Sequence, residues 1–145
     1  MTVVNKKFEQ SLHDQYDERG RKIVKDYFKN KFNYNVIDNP NIYGVDLIIY
    51  RENKIVGYAE VEVRNSWNTD KFPFDTLNVP LRKKKLFENE LPTYFFSVNC
   101  IHTRMFCCDA EIIMGCEIKE NKNKYVKKDE YFYKVPVDKL KLIKL

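Results

Sequence analysis

The sequence predicts an α+β (α/β) fold, a mixed β-sheet flanked by helices in a single domain spanning residues 1–145. Two patterns carry that expectation. One long stretch repeats its apolar residues at helical spacing, and several short runs alternate apolar and polar residues at strand spacing. A second, shorter helical stretch interrupts the strand runs. There are only 4 Gly and 5 Pro, and 43% of residues are hydrophobic, enough for one core and too ordered a composition for a flexible chain.

Residues 11–32, "SLHDQYDERGRKIVKDYFKNKF", place Tyr16, Gly20, Ile23, Val24, Tyr27, Phe28 and Phe32 on one stripe, which predicts an amphipathic helix. Ser11 followed by Asp14 reads as its cap. Asp17 falls at the edge of the stripe and Glu18 points away from it.

Strands are predicted at 34–38, 44–50 and 54–64, with "RENK" as the hairpin turn between the last two. The strand at 44–50 is apolar on both faces apart from Asp46, which suggests a central strand. In the strand at 54–64, Tyr58, Glu60, Glu62 and Arg64 share one face, and Ala59, Val61 and Val63 share the other. An aromatic loop, "NSWNTDKFPFDTLN", follows. "VPLRKKKLFENE" then predicts a helix, capped by Asn78 with Pro80 in its first turn. Strands are expected again at 93–99, 102–109, 111–118 and 130–136.

Several function classes drop out on composition. No apolar run reaches the ~20 residues needed to cross a bilayer, and the first residues lack a signal peptide's apolar stretch, so a cytoplasmic protein without membrane contact is expected. Cys100, Cys107, Cys108 and Cys116 lack the paired spacing of a zinc site, so they are expected as reduced thiols used in packing. The formal net charge of +5 is modest but clustered, with four cations in Arg82–Lys85 and more in "KENKNKYVKK". Such clusters suit phosphate backbones, and they also occur as plain solvated faces.

Asp46, Glu60 and Glu62 stand out. In an antiparallel hairpin the start of one strand lies beside the end of the next, which gathers these carboxylates at one end of the sheet. Their repulsion demands a cation, and oxygen-only ligation suits Mg²⁺ or Mn²⁺. Such an ion can activate water against a phosphodiester, with "RKKK" holding the phosphate. The same pattern also fits a hairpin's solvated face, with Glu60 and Glu62 paired to Arg51, Lys54 or Arg64.

"GVDL…YAEVEVR" resembles the core of the PD-(D/E)xK nuclease superfamily, the group of restriction-endonuclease-like and Holliday-junction-resolvase-like enzymes. The order of elements matches over residues 11–99. The resemblance implies a metal-dependent endonuclease acting on DNA, with Asp46 and Glu60 as metal ligands, Val61 offering its carbonyl, and Asp46, Glu60, Glu62 and Lys83 as the catalytic set. Glu62 stands where the motif has Lys, so the lysine is expected from the following segment, with Lys83 and Arg82 at the scissile phosphate. Lys84, Lys85 and Arg64 are expected to bind nucleic acid, and the first helix to contribute another acid, Asp17 or Glu18. The compact size is similar to that of phage-encoded nucleases, and cutting both strands would need a homodimer. Trp67, Phe72 and Phe74, with Lys71 between them, fit contact or stacking on DNA, and they fit better a small core that clamps their loop. Two other function classes fit the sequence: a non-catalytic nucleic-acid-binding module on the same fold, and a protein-interaction protein.

Overall fold

The computed structural model describes the backbone over residues 3–121 and 130–145 and side chains over 18–120 and 130–145. The basic stretch 122–128 and the side chain of Asp17 therefore lie outside the described residues.

Helix α1 spans Val3–Phe32. It begins well before the expected start, so Ser11 lies within the helix instead of at its first turn. Its inner face carries Gly20, Val24 and Phe28, all buried, while Phe32 at the last turn is exposed. The strands β1 (Asn35–Asp38), β2 (Leu47–Arg51) and β3 (Lys54–Arg64) form an antiparallel meander. Glu52 and Asn53 both have positive φ, 48° and 67°, as a tight two-residue hairpin turn requires. β5 (Thr93–Asn99) then pairs parallel to β3, and β6 (Arg104–Asp109) pairs antiparallel to β5. The main sheet runs β1-β2-β3-β5-β6-β9, so it is mixed, as expected. The central strands are β3 and β5. β2 sits one place from the edge, buried through Leu47 and Ile49 and half-buried through Ile48 and Tyr50.

Three stretches depart from expectation. Asn78 does not cap a helix. It lies in strand β4 (Thr76–Pro80), which is followed by a 3-10 turn over Leu81–Lys83 and a four-residue helix, α2 (Lys84–Phe87). Leu77 and Val79 alternate into the core there, and strand burial overrides the helix-start signals of Asn78 and Pro80. The stretch expected as a strand at 111–118 divides into α3 (Ala110–Met114) and β7 (Glu117–Asn121). Asp109 supplies the cap by accepting from the Glu111 backbone N–H at 2.8 Å. Ala110 and Ile113, three apart, then face inward together. β9 (Lys141–Lys144) was too short and too polar to be expected; it closes the main sheet against β6.

β8 (Glu130–Pro136) joins β4 and β7 in a small second sheet, ordered β4-β8-β7. Two cores result. Helix α1 covers one face of the main sheet through Val24, Phe28, Ala59, Val61 and Phe96. The small sheet, α2 and α3 cover the other through Leu77, Val79, Phe87, Phe95 and Tyr133. The second core matters most for function, because the Glu60 face of β3 lies beneath it. No described helix is long and apolar enough to cross a membrane.

Candidate active site

The site forms where β2 departs from β3. Leu47 is the first β2 residue in register, opposite Ala59. Just before it, Asn39 holds the chain: its backbone N–H donates to the Asp46 carbonyl at 2.9 Å and its side-chain amide to the Val45 carbonyl at 2.9 Å. Asp46 therefore makes no backbone ladder with β3. Carboxylates take its place. The Val61 N–H donates to Asp46 Oδ2 at 2.8 Å, and the Asp46 N–H donates to Glu60 Oε1 at 3.2 Å. The expected meeting of residue 46 with the 60–61 stretch is thus made through side chains.

Glu60 is 5% exposed, which removes it from any solvated face. Its register partner on β5 is Phe95, an apolar neighbour. The Lys83 ammonium donates to Glu60 Oε2 at 2.7 Å and lies 5.9 Å from the Phe95 ring centre. Burial pushes the Glu60 carboxyl up to about 7. Lys83 pulls it back down, and the nearby Asp46 charge adds to the rise. Two acids and a lysine drawn from three separate segments converge here. The 3-10 turn after β4 is what aims Lys83 inward, while its chain neighbours face solvent.

Glu62, two residues along the same face, is used differently. It accepts from Arg64 Nε at 2.6 Å and from the buried Ser97 hydroxyl at 2.7 Å. Arg64 also donates to the Asn78 carbonyl at 2.8 Å, which ties β3 to β4. Arg64 is therefore turned inward, toward protein partners and away from a surface phosphate. The other expected cations face out: Arg82 pairs with Glu130 at 3.2 Å, Lys84 lies 3.9 Å from Glu88, and Lys85 is exposed. Arg82 and Lys83 were expected together at one phosphate, and the tight turn sends them in different directions. Glu18 is exposed on α1.

Asn39 and Ser97 escaped the sequence reading. Ser97 had a detectable signal, a hydroxyl within the apolar run "TYFFSVN". Asn39 looked like an ordinary turn residue before Pro40. The aromatic loop is a small core: Trp67 is fully buried, stacked on Phe106 with ring centres 4.7 Å apart and edge-on to Phe72, although Phe74 at its tip is exposed. The four cysteines are free thiols, Cys108 buried and the rest half-buried. His102 is half-buried in a turn, with φ of 58°.

Among the described residues no three Asp, Glu, His or Cys side chains are grouped as a metal site. Asp46 and Glu60 offer an all-oxygen pair. Because the N–H and C=O of a strand residue lie on the same edge, the Val61 carbonyl faces the side its N–H shares with Asp46. Two carboxylates and a carbonyl suit Mg²⁺, which commonly takes one or two carboxylates from protein and completes its shell with water and phosphate. The donor chemistry fits.

No protein-family model matches this chain, and no curated protein matches it. Among solved structures, a nuclease from a fusselovirus shares its fold: 16% identity, a TM-score of 0.50, and coverage of 97% of this chain and 88% of that one. At that identity the likeness is one of fold. The chain is thus a mixed α+β domain with a nuclease-like fold.

Proposed function

We propose that this protein is a metal-dependent endonuclease of the PD-(D/E)xK type that hydrolyses phosphodiester bonds in DNA in the cytoplasm. The observation that carries the reading is the part-buried Asp46–Glu60–Lys83 cluster, in which two acids and a lysine meet beside the β2–β3 hairpin around a buried Glu60. A fold that serves only as a scaffold gains nothing by burying Glu60, whose desolvation raises its pKa to about 7. Asp46, Glu60 and the Val61 carbonyl are the residues that hold Mg²⁺ or Mn²⁺. When bound, the ion would lower the pKa of a coordinated water below its bulk value and stabilise charge developing on the phosphate.

The chain's own groups do the rest. Asp46 is fixed by Val61 and Glu60 by Asp46, so the two carboxylates are oriented before any ligand arrives. Lys83 fills the role of the missing motif lysine. Its ammonium pairs with Glu60 at 2.7 Å and would supply a cation to a phosphate held beside that carboxylate. Glu62 acts as a positioning residue that ties β3 to Ser97 and, through Arg64, to β4. Lys84 and Lys85 hold the DNA backbone beyond the site.

The test is cleavage of plasmid, single-stranded and branched DNA in Mg²⁺, Mn²⁺ or EDTA. Asp46→Ala and Glu60→Ala are expected to abolish cleavage while circular dichroism shows an intact fold. Cleavage by both variants at the wild-type rate would overturn the assignment. DNA binding without any metal-dependent cutting would instead make the protein a binding module. The capture of Glu62 by Arg64 and Ser97 favours that second reading.

A further inference from the structure

On the opposite face of the main sheet, between α1 and the strands, lies a cavity of about 360 Å³. Phe95 faces the candidate active site, so its neighbour Phe96 points the other way and lines this cavity. Tyr27, Phe28, Phe32, Tyr34 and Tyr94 complete an aromatic wall. Phe32 and Phe28 each lie within 20° of parallel to Tyr34, at 5.4 and 6.4 Å between ring centres. An aromatic lining of this kind favours a flat ring over an aliphatic chain.

The rim carries the opposite character. Lys141 lines the cavity, and the Lys31 ammonium lies over Tyr27 and Phe32 at 5.5 and 5.8 Å from their centres. The two lysines are close enough that Lys141 holds the Lys31 pKa below its usual value. Neither appears in an ion pair with a described carboxylate. Two like charges at the mouth of an apolar slot attract an anion. The thiol in its lining is quiet, because burial pushes Cys107 up to about 12. The cavity is built to bind and not to react.

We propose that this cavity is a binding site for a small planar aromatic molecule bearing one anionic group, its ring between Tyr27, Tyr34 and Phe96 and its anion on Lys31 and Lys141. The volume falls within the range of about 300–1,000 Å³ usual for small-molecule sites. The site does not depend on the nuclease reading, since the sheet separates it from Glu60 and Lys83.

The experiment titrates the full chain with anilinonaphthalene sulfonate, an aromatic anion, and with uncharged phenylnaphthylamine, following fluorescence and amide NMR shifts. Wild type is expected to bind the sulfonate saturably, with shifts at Tyr27, Tyr34 and Cys107. The double variant Lys31→Met/Lys141→Met keeps the apolar stems and is expected to bind it about tenfold or more weakly, the loss of a charge-assisted contact. The uncharged dye should bind the two proteins alike. Equal sulfonate binding by the variant, no saturable binding by wild type, or shifts mapping elsewhere would each overturn the proposal. Both lysines are exposed, so the variant is expected to fold, and its circular dichroism spectrum checks this.

Discussion

Glu60 is the residue whose chemistry is most altered by the fold. Its carboxyl is raised from the usual 4.5 to about 7, chiefly by burial. In the metal-free protein the folded state therefore holds this proton more tightly than the unfolded chain does. Its neutral form costs nothing below the unfolded value. Between the two values the unfolded chain gains by ionising while the folded one does not, so stability falls as pH rises through 7 and then levels off. Relative to Glu60→Gln, the wild type is expected to lose on the order of 3 kcal/mol across that window. Urea unfolding of both proteins at several pH values measures it; a pH-independent difference would contradict the burial argument. Lys83→Met removes the ammonium 2.7 Å from Glu60 and leaves a buried charge unpaired. A loss of about 1–1.5 kcal/mol is expected at pH 8, where protonation of Glu60 caps the cost, and it shrinks at lower pH. Cleavage should fall in the same variant at every pH where the wild type is active.

Helix α1 and strand β3 meet at a glycine. A Cβ at Gly20 would lie 3.0 Å from Val63 Cγ2 and 3.2 Å from Val61 Cγ1. The helix rests directly on the strand that carries Glu60. Gly20→Ala sets tight contacts against a helix-propensity gain of about 1 kcal/mol, so it is expected to stay near wild-type stability. Gly20→Leu cannot fit without displacing the helix, and a loss of about 1–3 kcal/mol is expected in thermal or urea unfolding. If Gly20→Leu were neutral, the close approach of α1 to β3 would be wrong. At the same scale, the small sheet works as a lid for the second core. Its β4 strand accepts Arg64 at the Asn78 carbonyl and leads directly into the turn that delivers Lys83.

Across the whole molecule the two faces of the main sheet carry different business. One face, under the small sheet, holds Asp46, Glu60 and Lys83 with Lys84 and Lys85 outside them. The other face holds α1 and the aromatic cavity. On the proposed nuclease reading, DNA would lie against the exposed cations of the first face, so Lys84→Glu/Lys85→Glu is expected to weaken binding of all sequences alike. It should also reduce the slope of log affinity against log salt by about 2, as measured by fluorescence anisotropy. An unchanged slope would put the DNA on another surface.

The sequence by itself determined the α+β class, the long first helix, the hairpin of β2 and β3, the strands β5, β6 and β8, and the pairing of Asp46 with Glu60. Each follows from local periodicity, or from the geometry of one hairpin whose members lie 14 residues apart. Only the tertiary structure decided the rest. Periodicity places Glu60 and Glu62 on one face of β3, yet it does not say whether that face meets water or a second sheet. The answer depends on β4 and β8, distant segments whose alternating Leu77, Val79, Tyr133 and Val135 build that cover. Their burial turned the expected helix at Asn78 into a strand and placed the tight turn that splits Lys83 from Arg82. It also gave Glu60 a lysine and Glu62 an arginine, two acids of identical type and spacing separated in role by what packs above them.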